Sequence, residues 1–135
     1  MNDQVTGSCL CGAVMFRIHG AFEQFFLCYC SRCRKGSGSA HAANLFGSDA
    51  MVEWLRGEDH VRVFQLPGTR HTKCFCRECG SALPMDSKDG GFIMVPAGSL
   101  DTQIAIKPEA RICHASRAAW VDTIECVETV GGLPG

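Results

Sequence analysis

The chain has 135 residues and a mass of 14.6 kDa, a size that predicts one domain around a single core. Its 13 Lys and Arg nearly balance its 14 Asp and Glu, and a net charge of −1 argues against nucleic acid or an anionic membrane as a partner. No apolar run approaches the ~20 residues of a membrane span, and residues 1–20 lack a signal-peptide pattern. We therefore expect a cytoplasmic protein with one domain over residues 1–130 and a frayed tail over 131–135.

The predicted secondary structure consists mostly of short strands, because helical periodicity is nearly absent. Apolar runs bounded by turn residues predict strands over Ala13–Ile18, Gln24–Cys28, His41–Phe46, Val61–Leu66, His71–Cys76 and Phe92–Ala97. The turns include Leu66-Pro67-Gly68 and Asp89-Gly90-Gly91. Single helical turns are compatible with the sequence after Cys33 and near Asp101. The fold class expected is mainly β, with small antiparallel sheets.

The ten cysteines are the most unusual feature of the composition. Eight of them fall in three tight clusters: Cys9 and Cys11; Cys28, Cys30 and Cys33; Cys74, Cys76 and Cys79. Spacings of one or two residues place several sulfurs on one turn, as a tetrahedral metal ion requires, whereas disulfide frameworks usually spread their cysteines. The clusters therefore favour metal binding, and the isolated Cys113 and Cys126 are expected to be small buried hydrophobes.

Two of the clusters can combine into one closed site. The pair in Cys9-Leu10-Cys11 projects to one side of an extended chain, and the two cysteines of Cys76-Arg77-Glu78-Cys79 have zinc-knuckle spacing, followed by a glycine that permits positive φ. Together they predict a tetrathiolate structural zinc site.

The central cluster supplies three thiolates from one short segment, Cys28 to Cys33. Three protein ligands leave one position of a tetrahedral ion open, which is the arrangement of catalytic zinc. Cys74 is a candidate fourth ligand, because the spacing of Cys74, Cys76 and Cys79 repeats that of the central cluster. If Cys74 closed this site, the catalytic interpretation would become a structural one.

Three strings of the sequence carry a resemblance to a known family: GSCLCGAV at 7–14, CYCSRCRKGSG at 28–38 and FCRECGS at 75–81. In them the chain resembles the glutathione-dependent formaldehyde-activating family. The resemblance implies a mainly β fold, called the β-tent, that is stabilised by zinc. It also implies a structural zinc on Cys9, Cys11, Cys76 and Cys79, and a catalytic zinc on Cys28, Cys30 and Cys33.

The resemblance further implies an activity, the condensation of glutathione with formaldehyde to S-(hydroxymethyl)glutathione, formally a carbon–sulfur lyase reaction. The expected cofactors are two zinc ions per chain, with glutathione as thiol co-substrate, and the expected partners are a small thiol and a small aldehyde. In this mechanism the glutathione sulfur takes the open position as a thiolate and attacks the aldehyde carbon.

Other residues of the sequence are candidates for contacts, proton transfer or packing. Arg32, Arg34 and Lys35 are candidates for contacts with the carboxylates of glutathione, or are simply solvated. His41 follows closely enough to act as a general acid or base, although an ordinary strand position is favoured. Trp120 is expected to pack in the core.

Two further function classes remain open at this stage. One is a non-catalytic zinc-stabilised interaction module, because the wider family includes a centromere-associated protein. The other is an iron-bearing redox protein, because paired Cys-x-x-Cys knuckles also bind iron.

Overall fold

The computed structural model describes residues 4–87 and 90–135, in which eleven strands form three sheets. In chain order the strands are β1 (Val5–Ser8), β2 (Met15–His19), β3 (Gln24–Cys28), β4 (Ala42–Gly47), β5 (Met51–Arg56), β6 (Val61–Gln65), β7 (Thr72–Cys76), β8 (Ala82–Leu83), β9 (Met85–Ser87), β10 (Phe92–Pro96) and β11 (Ala110–Ile112). The α-helix α1 spans Ser31–Ser37, and short 3-10 segments cover Glu58–His60, Ala97–Ser99, His114–Ser116 and Ala119–Cys126.

The sheets have the orders β1-β2-β5, β11-β3-β4-β10-β9 and β6-β7-β8. Neighbouring strands are antiparallel except for β11, which runs parallel to β3 with Ala110 opposite Phe26. The prediction of antiparallel sheets is wrong for this pair. A long connection separates the two strands, so no hairpin forces them to run in opposite directions.

Each of the six predicted strands overlaps an observed one. Five observed strands were not predicted: β1, β5, β8, β9 and β11. Strands β8 and β9 have two and three residues and are too short for a period to be recognised. The predicted turn at Asp89 begins outside the described residues. Helix α1 starts at Ser31, before Cys33 instead of after it, because the Sγ of Cys30 caps it by accepting the N–H of Cys33.

The main core lies between the sheets and includes cysteines of two clusters. Its fully buried members are Val14, Phe16, Leu45, Cys76, Leu83, Ile93 and Val95. Cys9 and Cys74 are also buried in this core. The core therefore holds the N-terminal cysteine pair against strand β7.

These observations confirm a mainly β fold of small sheets in one domain. None of the helices in the described ranges combines the length and the apolarity of a membrane-spanning segment. Residues 131–135 are exposed, and their fraying stays a prediction.

Candidate functional site

Four cysteine sulfurs from two distant segments meet beside the core. Cys9 and Cys11 lie in the loop after β1, whereas Cys76 ends β7 and Cys79 lies in the turn that follows it. All four Sγ atoms lie within 4.8 Å of one another. The Sγ atoms of Cys9 and Cys11 are 3.6 Å apart, and those of Cys11 and Cys76 are 4.0 Å apart.

These sulfur separations match a tetrahedral zinc ion. Zinc–sulfur bonds of ~2.3 Å at tetrahedral angles place two sulfurs about 3.8 Å apart. The separations are much longer than the ~2.05 Å of a disulfide bond, and all ten cysteines are free thiols in the structure. The donor set of this four-cysteine group therefore fits a closed metal site.

The same backbone device shapes both halves of the four-cysteine group. Gly12 follows Cys11 with φ of 81°, and Gly80 follows Cys79 with φ of 78°, a conformation that side-chain-bearing residues rarely adopt. The Gly12 N–H donates to the Cys9 carbonyl oxygen at 3.1 Å, and the Gly80 N–H donates to the Cys76 carbonyl oxygen at 2.8 Å. Each tight turn thereby brings its two sulfurs to the same side.

Hydrogen bonds favour the thiolate form at two members of the four-cysteine group, Cys9 and Cys79. The Val14 N–H donates to the Cys9 Sγ at 3.2 Å. The Ser81 hydroxyl lies 3.2 Å from the Cys79 Sγ, and hydrogen bonding with Ser81 lowers the pKa of Cys79 to about 5. At Cys11 a backbone hydrogen bond from Ala13 acts to lower the pKa, but desolvation and the neighbouring thiols outweigh it and raise the pKa to about 11. A bound cation would favour the deprotonated form that metal ligands require. Sequence reasoning did not single out Ser81, although it stands two residues after the knuckle.

The second group consists of three sulfurs where β3 leads into α1. Cys28 is the last residue of β3, Cys30 is the N-cap of α1, and Cys33 lies in its first turn. Their Sγ atoms all lie within 4.8 Å of one another. The strand end and the helix start thus bring together three residues that are also close in sequence.

The ionisation of this three-cysteine group is uneven. Burial raises the pKa of Cys28 and of Cys33. Burial also acts to raise the pKa of Cys30, but the N–H of Cys33 and hydrogen bonds from the neighbouring thiols outweigh it, so the pKa of Cys30 lies below its ordinary value. A bound cation would offset the repulsion among three thiolates, so this donor set also fits a metal ion.

The three-cysteine group lacks a fourth ligand atom among the described residues. Within residues 4–87 and 90–135, no further Cys, His, Asp or Glu ligand atom lies within 4.8 Å of all three sulfurs. Cys74 is buried in the main core and belongs to neither cysteine group. The arrangement can therefore present a metal ion with one position free for an external ligand.

A cavity of about 280 Å³ lies beside the three-cysteine group, and sequence reasoning did not anticipate it. Its walls come from α1, β4, β7 and β10 and include Cys33, Cys74 and His41. Burial, with a smaller contribution from the charge of Arg111, lowers the pKa of His41, and its imidazole ring lies 5.0 Å from the ring of Tyr29. No local sequence pattern could have indicated this cavity, because its walls come from distant segments.

The candidate basic residues lie on α1, but their environments differ. Arg34 is half-buried, and its Nη2 donates to the Ser116 carbonyl oxygen at 3.4 Å, which ties the helix to the C-terminal segment. Arg32 and Lys35 are exposed. Arg34 and Lys35 line a shallow surface pocket together with Trp120.

Three expectations about single residues are wrong. Cys113 and Cys126 are exposed instead of buried, and Trp120 is 59% exposed instead of packed in the core. All three lie in or just before the C-terminal 3-10 segments, whose side chains are largely exposed. Residue type alone predicted their burial, but burial depends on which elements cover a segment.

Comparison with known proteins identifies a family that spans both cysteine groups. A family model described as "Glutathione-dependent formaldehyde-activating enzyme" matches residues 4–116, a range that contains both groups. The chain belongs to the glutathione-dependent formaldehyde-activating enzyme family. The resemblance stated for the three sequence strings is thereby confirmed.

Two relatives give the extent of the similarity within this family. A protein of Halomonas elongata named "Putative glutathione-dependent formaldehyde-activating enzyme" is 35% identical over 127 residues, covering 86% of this chain and 78% of that protein. The crystal structure of a Rhodobacter sphaeroides protein matches with a TM-score of 0.54 and 30% identity, covering 73% of this chain and 90% of that one.

Proposed function

We propose that this protein is a zinc-dependent enzyme or carrier that joins the thiol of glutathione to formaldehyde or a related small aldehyde. The reaction resembles that of S-(hydroxymethyl)glutathione synthase and is formally of the carbon–sulfur lyase class. The observation that carries the proposal is the three-cysteine group, which lacks a fourth ligand atom in the described part of the chain, in a family named for this chemistry. The proposed location is the cytoplasm, whose reducing conditions keep free thiols reduced.

The proposal assigns different roles to two zinc ions per chain. One is held by the four-cysteine group and stabilises the fold, because it links segments 65 positions apart, from Cys11 to Cys76. The other is held by Cys28, Cys30 and Cys33 and would supply a positive centre that keeps an external thiol deprotonated at neutral pH. The name β-tent for this zinc-stapled fold rests on the family resemblance.

The chain's own residues position the reactants. Arg34 and Lys35 follow Cys33 on α1, and their charges can pair with the carboxylates of glutathione. In the bond-forming step the glutathione sulfur attacks the carbonyl carbon and a C–S bond forms. The π electron pair moves to the oxygen, which takes up the proton that the thiol released. The reaction needs no oxidant or reductant.

The test is the visible spectrum of the cobalt-substituted protein with and without glutathione. The visible absorption bands of cobalt depend on its ligands, whereas zinc has no such bands. We expect the bands to shift at about one equivalent of glutathione, as a fourth ligand is exchanged. Serine at Cys28 should abolish the shift, whereas serine at the exposed Cys126, which lies outside both groups, should preserve it. An unchanged spectrum in the parent protein would indicate a closed site and a non-catalytic zinc module.

A further inference from the structure

The cavity beside Cys33 is much larger than formaldehyde requires. Its volume is about 280 Å³. A water-sized group occupies about 30 Å³ in a liquid, so the cavity has room for roughly nine such groups, whereas formaldehyde has two heavy atoms. Most of the lining surface is apolar, with contributions from Ala42, Ala43, Leu83, Met94 and Pro96.

The strand register places this cavity on the same face of the five-stranded sheet as Cys28. Cys28 lies opposite Ala42, Asn44 opposite Pro96, and neighbours in register point to the same side of a sheet. Met94 shares that side with Pro96, because the two are two positions apart on β10. A molecule held in the cavity would therefore lie beside the three-cysteine group.

Helix α1 has the cavity on one side and the shallow pocket on the other. Arg32, Cys33, Gly36 and Ser37 line the cavity, whereas Arg34, Lys35 and Gly38 line the shallow pocket. Cys33 is thus on the cavity side, and Arg34 and Lys35 are on the opposite side. Glutathione is highly charged, and moving its charges into an apolar cavity would cost desolvation energy. The Lys73 ammonium group at the cavity wall already donates to the Gly36 carbonyl oxygen.

Polar side chains make up the smaller part of the cavity lining. They include Asn44, His71 and Lys73, and His41 also lines the cavity. A mostly apolar pocket with a few polar groups matches the usual composition of small-molecule sites.

From these observations we infer that the electrophile is an aldehyde with an apolar substituent of about three to six carbons, bound in this cavity beside Cys33. This inference rests on the proposed function. It adds the substrate class and assigns the two sides of α1 to the two reactants. The thiolate attack is the same as with formaldehyde, and the product is a hemithioacetal that retains the alkyl chain.

The test compares formaldehyde, butanal and hexanal as partners of glutathione with the zinc-loaded protein. Exchange NMR gives the rate of hemithioacetal formation, and dividing by the uncatalysed rate for each aldehyde removes differences in intrinsic reactivity. Each buried methylene contributes about fourfold, so the rate enhancement for butanal should exceed that for formaldehyde by about tenfold or more.

Two cavity variants move this preference in opposite directions. G98L should remove most of the advantage of butanal over formaldehyde, because Gly98 lines the cavity and a Cβ there meets nothing within 4 Å. G131L is the matched control, because Gly131 also has open space around its Cβ but does not line the cavity. M94A should enlarge the cavity and shift the optimum from butanal towards hexanal.

The outcomes separate the inference from the proposed function. If the protein accelerates the reaction of formaldehyde but gives no greater rate enhancement with butanal or hexanal, the inference is overturned and the proposed function stays intact. If the protein accelerates the reaction of none of the three aldehydes, both are overturned. A G98L protein that raises the KM for glutathione while keeping the butanal preference would place glutathione in the cavity, which also overturns the inference.

Discussion

Two buried cysteines on β7 offer a direct measure of what the four-cysteine group contributes to stability. Cys74 and Cys76 are two positions apart, and their exposed fractions are 7% and 0%. Only Cys76 belongs to the four-cysteine group. Replacing either residue with alanine removes one buried sulfur, which costs about 1–2 kcal/mol of the free energy of unfolding.

At Cys76 a second cost is added, because the metal loses one of four ligands. Structural zinc binding contributes roughly 10 kcal/mol or more, which is comparable with the ~5–15 kcal/mol that stabilises a whole domain. We therefore expect C76A to show no cooperative thermal transition. C74A should remain folded with two metal ions per chain and a Tm lower by about 4–8 °C.

The assay is thermal unfolding followed by circular dichroism, with the zinc content of each variant measured by mass spectrometry. C74A is the matched control, because it shares the strand, the face and the burial of Cys76. Similar Tm values for the two variants would refute the structural role of the four-cysteine group. Loss of one zinc ion in C74A would instead indicate that Cys74 serves as a ligand.

Three further predictions concern the other site and the surface. C28A should bind one zinc ion instead of two and unfold cooperatively within about 8 °C of the parent, since its metal is proposed to serve chemistry more than folding. Retention of both ions, shown by the same metal analysis, would contradict the ligand assignment. The double variant R34A/K35A should raise the KM for glutathione about fivefold with an unchanged kcat, and steady-state kinetics in 0.5 M salt should show a smaller difference. A salt-independent effect would exclude charge pairing. Hydrogen bonding from His19 lowers the pKa of Glu53, so this pair stabilises the fold above pH 4.5 and loses its effect as the pH falls through the lowered pKa. The Tm difference between the parent and E53Q should therefore narrow below pH 4.5. A Tm difference that grows as the pH falls would contradict this prediction.

The tertiary structure brings together the two halves of the four-cysteine group. Cysteine spacing predicted local pairs, because a tight turn of two or three residues fixes where neighbouring sulfurs point. The 4.0 Å separation of the Cys11 and Cys76 sulfurs depends on the packing of the loop after β1 against the end of β7. That contact joins segments 65 positions apart.

The sequence by itself determined the mainly β class, the positions of six strands, the local cysteine clusters and the family. These properties depend on local periodicity, on turn residues such as Gly80 and on ligand spacing, all of which are present in short segments. Only the tertiary structure decided the exclusion of Cys74 from both groups, the exposure of Trp120 and the parallel pairing of β11. The cavity beside Cys33 also depends on the tertiary structure, because its walls form only when segments far apart in sequence pack together.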